Sequence, residues 1–191
     1  TDAGSGEPVN AVVAHEKEMH VIIASRDLKE FAHIHPVRQA QTGVYEISHT
    51  FPTSGDYVVY SGFELEGRGD EVHRFDLKVG EGVGSAAQLA PDMASKEVGN
   101  YTVRLVPPLE VRAGKTAGFV ATIEQDGKPV TDLEPYLGAA SHVIVLDDKA
   151  GGFAHVHAVA GNSAPGGAMG EMTETGEMGE PPAKFGPAIA F

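Results

Sequence analysis

The chain has 191 residues, of which 41% are hydrophobic, and its formal charge is −13 from 27 acidic and 14 basic residues. This length and composition predict a folded chain of one large domain or two smaller ones, and the charge argues against nucleic acid and anionic membranes as partners. Cysteine is absent, which excludes disulfides, zinc-thiolate sites, thiol catalysis and blue-copper centres.

Short runs of β-branched and aromatic residues, separated by turn sequences, follow one another along the chain. They are NAVVAH, MHVIIAS, FAHIHPV, GVYEISHTF, DYVVYSGFEL and VHRFDLKV, then YTVRLV, GFVATIEQ, SHVIVLDD, GFAHVHAV and GPAIAF. This pattern predicts an all-β fold of two tandem antiparallel sandwiches of the Ig-like or Greek-key type. We expect the first sandwich in residues 1–80, a linker of small and polar residues in 81–95, and the second sandwich in 96–191.

The two halves of the chain repeat one another. An offset of 122 residues superimposes six positions of identical residue type, namely His20, Phe31, Ala32, His33, His35 and Val37 on His142, Phe153, Ala154, His155, His157 and Val159. Agreement at six positions is improbable by chance, so the sequence indicates an internal duplication.

Two histidines one residue apart in a strand share a face of the sheet. With RDLKE as the turn of a hairpin, His20 falls opposite His35 and His33 lies one diagonal step away. The turn DDKAGG gives His142, His155 and His157 the same arrangement. Three imidazoles on one face form a ligand set for copper or zinc. The alternative is that each histidine binds a backbone carbonyl or lies at a solvated edge.

Other side chains are candidate extra ligands. His49 and His73 are candidate fourth ligands of the first site, although each is also compatible with an ordinary surface histidine. We expect a flexible loop rich in glycine, methionine and glutamate in residues 161–185, which carries Met169, Met172 and Met178. Thioethers favour Cu(I), so the loop favours copper over zinc, unless it is only a low-complexity segment.

Two families resemble this chain at these residues. The segment LEPYLGAASHVIVL with FAHVHA resembles secreted bacterial β-sandwich proteins associated with copper and other heavy metals. The Phe-x-His-x-His strand is similar to the copper strand of copper superoxide dismutases, including the copper-only kind. That resemblance implies histidine ligands for copper cycling between Cu(II) and Cu(I), with Arg38 as the residue that guides superoxide. The chain departs from those dismutases in lacking cysteine and in placing its third histidine before the pair.

These observations lead to one expected function and two alternatives. We expect a secreted or cell-envelope copper-binding protein with superoxide dismutase-like activity. One alternative is copper storage, delivery or resistance without turnover, and the other is a structural cell-surface module whose sheets are braced by metal.

When Gly186 is matched with Gly43, the second half has fewer predicted strands after its histidine strand than the first. GPAIAF then corresponds to GVYEIS, and the strands that match DYVVYSGFEL and VHRFDLKV are missing. We therefore expect an unpaired edge at GPAIAF, completed by further chain or by a neighbouring chain in a surface assembly or oligomer.

Overall fold

The computed structural model describes residues 4–6, 9–40, 42–82, 89–90, 95–161 and 182–191. Over these ranges the chain forms fourteen strands and no helix. No helix that is long and apolar enough to cross a membrane is therefore found among the described residues. The predicted fold class is confirmed, since the protein is all-β and builds two antiparallel, sandwich-like repeats one after the other.

The first repeat contains seven strands. They are β1 (Ala11–Val12), β2 (His20–Ser25), β3 (Phe31–Ile34), β4 (Val37–Arg38), β5 (Tyr45–Glu46), β6 (Gly55–Leu65) and β7 (Gly69–Val79). The long strand β6 pairs with β7 on one side and with β1 and β2 on the other, and β3 follows β2. Strands β4 and β5 form a separate two-stranded sheet.

The second repeat also contains seven strands. They are β8 (Lys96–Val98), β9 (Tyr101–Val106), β10 (Val120–Gln125), β11 (Lys128–Pro129), β12 (Ser141–Leu146), β13 (Phe153–Ala160) and β14 (Ala188–Ala190). Their order across one sheet is β12-β13-β14-β10-β9-β8, with β11 beside β10. The short strands β8 and β11 are additions to the elements that the sequence predicts.

The expectation of an unpaired edge at GPAIAF is wrong. Strand β14 lies inside the sheet, because it pairs with β13 on one side and with β10 on the other. The partner on the second side, β10, comes from a segment before the histidine strands of the second repeat. The repeat alignment does not cover that segment. This pairing removes the reason for expecting a neighbouring chain at that edge.

The match between Gly186 and Gly43 is one residue out of register. Val37 pairs with Glu46 in the first repeat, and its counterpart Val159 pairs with Ala190 in the second. Glu46 and Ala190 are thus structurally equivalent, which gives an offset of 144 residues rather than 143. Strands β5 and β14 are counterparts nonetheless.

The histidine strand is continuous in one repeat and broken in the other. Strand β13 runs through His155 and His157, whereas a break at His35 and Pro36 separates β3 from β4. Proline has no N–H to donate to a sheet and restricts the residue before it, which accounts for the break. The sequence prediction of a single strand through FAHIHPV is therefore correct only in part.

Each repeat has its own apolar cluster. In the first, Val21, Ile23 and Tyr57 are buried together. In the second, buried Phe185 and Ile189 pack with Ala140 and Ala158. Because residues alternate between faces, the odd-numbered residues of β2 face the first cluster and His20 faces the other way.

Contacts divide the chain into two compact units. The first consists of Thr1–Leu89 and Leu146–Gly152, and the second consists of Ala90–Val145 and Phe153–Phe191. The triad His20, His33 and His35 lies in the first unit, and the triad His142, His155 and His157 lies in the second.

Candidate metal centres

Hairpin register brings the first triad together. Strands β2 and β3 pair Val21 with Ile34 and Ile22 with His33. Continuing this antiparallel register by one step places His20 opposite His35, on the same face as His33. The hairpin register predicted from the sequence is confirmed.

The three imidazoles of the first triad face one another. His20 Nδ1 lies 3.1 Å from His33 Nε2, and the ring of His35 is 4.9 Å from that of His20 and 4.8 Å from that of His33. One nitrogen of each ring lies within 4.8 Å of the others. Two nitrogens at about 2.0–2.1 Å from one ion are about 3.3 Å apart at the tetrahedral angle, so the spacing of His20 and His33 fits a shared ion.

The second triad repeats this geometry. His142 Nδ1 lies 3.0 Å from His155 Nε2. The ring of His157 is 4.8 Å from that of His142 and 4.5 Å from that of His155. The interplanar angles also agree, at 86° between His142 and His157 and at 85° between His20 and His35. The broken strand of the first repeat therefore leaves the triad geometry unchanged.

Each triad histidine at the start of its hairpin binds a backbone carbonyl, which the sequence analysis gave as an alternative without predicting the partner residue. His20 Nε2 lies 3.2 Å from the carbonyl oxygen of Ala14, and His142 Nε2 lies 3.0 Å from that of Tyr136. A carbonyl oxygen only accepts, so Nε2 is the donor in both. The two partners differ in residue type, so the repeat alignment does not detect them. Their equal distance of six residues before the histidine follows from the repeat offset itself, so no residue pattern in the sequence singles them out.

The turns of the two histidine hairpins are held by equivalent side chains. Ser25 Oγ accepts from the amides of Lys29 and Glu30, and the Asp147 carboxylate, at the matching position, accepts from the amides of Lys149, Gly151 and Gly152. These bonds, the Gly151 amide first and the Gly152 amide next, hold the pKa of Asp147 below its usual value. Fixed turns fix the register on which each triad depends.

The first triad is more enclosed than the second. His20 is 7% exposed, because β2 is flanked by β6 and His20 pairs there with Gly62. Strand β12, which carries His142, lies at the end of its sheet as the described residues form it. His142 is accordingly only half-buried.

The structure does not bring His49 or His73 to the first triad. His73 pairs with Ser61, which pairs in turn with Val21 of the apolar cluster, so His73 lies on the face opposite to His20. Its ring stacks on Phe63 at 5.6 Å. His49 contacts Phe51 edge-on at 4.7 Å.

The remaining predicted site residues are Arg38, which the structure describes, and three methionines, which it does not. Arg38 lies on β4, and its Nη2 donates a hydrogen bond of 2.6 Å to Asn10 Oδ1. The predicted methionine ligands Met169, Met172 and Met178 lie outside the described residues. Their part in metal binding stays a prediction.

Chemically, each triad offers three imidazole nitrogens and could hold a metal ion. Neither group includes a carboxylate among the described residues. Neutral imidazole is a ligand for zinc, copper, nickel and iron. Three protein ligands leave at least one coordination position for water or another ligand.

Fold and sites together define a class of protein, namely a two-repeat all-β chain with one histidine triad in each repeat. The chain belongs to the family described as a domain of unknown function (DUF8832), which matches residues 3–81 and 96–180. The two matched segments correspond to the two repeats, so the internal duplication is confirmed. No curated protein and no solved structure matches the chain.

Proposed function

We propose that the protein binds copper, with one ion at each histidine triad. Among divalent first-row metals, sites of nitrogen donors bind Cu²⁺ most tightly. A facial set of three imidazoles without a thiolate or a carboxylate suits copper and gives hard, oxygen-preferring cations such as Mg²⁺ and Ca²⁺ no ligand that they favour.

The observation that carries the proposal is the repetition of one ligand geometry in both repeats. The nitrogen–nitrogen distances of 3.1 Å and 3.0 Å and the carbonyl partners of His20 and His142 recur. Metal-bound histidines almost always donate their second ring N–H to a carbonyl, a carboxylate or water. His20 and His142 already have this arrangement, with Nδ1 directed toward the other ligands.

A hydrogen bond between two neutral imidazoles has a similar length and is the competing explanation. It accounts for one pair of rings in each repeat. It does not account for the third imidazole, whose ring lies within 4.9 Å of both others in each triad. Three clustered imidazoles also repel one another when they protonate, which a bound cation in place of protons avoids.

Copper titration of the metal-free protein tests the proposal. We expect two equivalents of Cu²⁺, with a nitrogen-rich signal in electron paramagnetic resonance. His33→Ala and His155→Ala should each remove one equivalent, and the double variant should remove both. His73→Ala is the matched control, since that histidine lies on the other face of the sheet, and it should keep both equivalents.

Two equivalents retained by the double variant would overturn the proposal. Competition between Cu²⁺ and Zn²⁺ at the wild-type sites tests the identity of the metal separately. A preference for zinc would preserve the metal sites and remove copper from the proposal.

A dismutase activity is the second candidate function, and the open coordination position supports it. The resemblance to copper superoxide dismutases implies that this position is where superoxide would react. Storage or delivery needs no such turnover. The decay of superoxide in the presence of the copper-loaded protein distinguishes the two, with the doubly substituted His33→Ala, His155→Ala protein as the blank. The secreted or cell-envelope location stays a prediction.

A further inference from the structure

A tight turn precedes the histidine hairpin in each repeat. Ala14 and Lys17 exchange two backbone hydrogen bonds of 3.0 Å and 3.2 Å, and Tyr136 and Ala139 exchange two of 2.9 Å and 3.2 Å. Both central residues of each turn have positive φ, at 51° and 64° in the first turn and at 49° and 74° in the second. These dihedrals are those of a type I′ turn.

The backbone of this turn recurs although its residues do not. The central pair is His15-Glu16 in the first repeat and Leu137-Gly138 in the second. Left-handed backbone is unfavourable for residues other than glycine, and such strain persists where the surrounding structure requires it, often at functional sites. Three of the four central residues carry that strain. The recurring feature is therefore the backbone conformation rather than any side chain.

In each repeat the first residue of the turn directs its backbone carbonyl oxygen toward a histidine of the triad. The oxygens of Ala14 and Tyr136, the first residues of the two turns, accept hydrogen bonds from Nε2 of His20 and His142. A ring nitrogen that donates to a carbonyl carries the proton. In a neutral imidazole the other nitrogen, Nδ1, is then unprotonated and carries the lone pair. In both triads this nitrogen is the one that faces the next histidine.

We infer that the two turns are positioning elements that hold His20 and His142 as Nε2–H tautomers and so make Nδ1 the metal-binding atom. The role of Nδ1 in metal binding rests on the proposed function, whereas the tautomer is a property of the metal-free protein. Glu16 and Gly138, the third residues of the turns, act on the metal only through the carbonyl and the histidine.

Nitrogen-15 NMR of the metal-free protein at mildly alkaline pH tests the tautomers directly. We expect Nε2 protonated and Nδ1 unprotonated in both His20 and His142. His73, which has no carbonyl partner of this kind among its described contacts, serves as the reference ring. Protonation at Nδ1 of His20 or of His142 would overturn the inference, whether or not the protein binds copper.

Substitutions in the turns test the positioning role. Glu16→Val places a β-branched residue at a φ of 64° and should disrupt the first turn. We expect a mixed tautomer at His20 and copper affinity about 10-fold weaker at the first site, with the second site unchanged. Glu16→Gly removes the same carboxylate but suits the turn, so it should keep both the tautomer and the affinity.

Gly138→Val applies the same test to the second repeat, so each repeat is the control for the other. It should weaken the second site and leave His20 unchanged, and it supplies the result if Glu16→Val does not fold. Equal weakening of both sites by either valine variant, or no change in tautomer and affinity, would refute the positioning role. A protein that binds no copper but shows the expected tautomers would refute the proposed function alone.

Discussion

Binding of Cu²⁺ should stabilise each repeat separately. In the first unit, the proposed ligands lie on β2, on β3 and at His35 directly after β3, and in the second unit they lie on β12 and β13. An ion that joins two neighbouring strands requires their native register, so it binds the folded repeat in preference to the unfolded chain. Ligand binding to the native state alone raises the free energy of unfolding by mass action.

The size of the effect follows from the concentration of free metal. At a hundredfold excess over Kd, the free energy of unfolding rises by about 2.7 kcal/mol per site. Each unit has on the order of a hundred residues, and in a domain of that size 1 kcal/mol shifts Tm by about 4–8 °C. We therefore expect Tm to rise by about 10–20 °C. This is an upper bound, because the His-x-His pairs of the unfolded chain also bind some copper.

Differential scanning calorimetry with and without Cu²⁺ measures this rise. His33→Ala should abolish the shift of the first unit and keep that of the second, and His155→Ala should do the reverse. His73→Ala should keep both shifts. The reasoning is refuted if the doubly substituted His33→Ala, His155→Ala protein shows the same rise as the wild type.

Three further predictions concern the core, a turn and the second candidate activity. Ile22 is 1% exposed, so Ile22→Ala should lower the free energy of unfolding by about 2–5 kcal/mol in chemical denaturation, whereas Val13→Ala, at a residue that is 66% exposed, should change it by less than about 0.5 kcal/mol. Because the pKa of Asp147 is lowered in the folded state, its contribution to stability is complete above the unfolded pKa and is lost as pH falls through the folded value. The protection of the Gly151 amide against hydrogen exchange, relative to the intrinsic exchange rate at each pH, should therefore decrease in that acidic range, and Asp147→Asn should remove this pH dependence. The copper-loaded Arg38→Gln variant should dismutate superoxide more slowly than the copper-loaded wild type. An unchanged rate would exclude Arg38 as the residue that guides superoxide.

Much of the candidate site could be predicted because its determinants are local. The alternation of side chains in a strand and the length of RDLKE are enough to place His20, His33 and His35 on one face. The register observed between Val21 and Ile34 agrees with that reasoning. Repetition at a constant offset extended the prediction to the second triad without any information on the fold.

Predictions that needed long-range pairing were less successful. The edge expected at GPAIAF is filled by β10, a strand from a segment with no counterpart in the repeat alignment. His73 was a candidate fourth ligand of the first site. Its face depends on the pairing of β6 with β7, which places it away from His20.

The sequence by itself determined the class of the fold, the duplication and the membership of both triads, because period-two alternation and short hairpin turns are encoded by neighbouring residues. Only the tertiary structure decided which backbone carbonyls meet His20 and His142 and which strand lies beside β14. The turn carbonyls depend on positive φ values at residues as different as His15 and Leu137, and the pairing of β14 depends on strands far apart in the chain. Neither backbone dihedrals of that kind nor long-range pairing leaves a local pattern in the sequence.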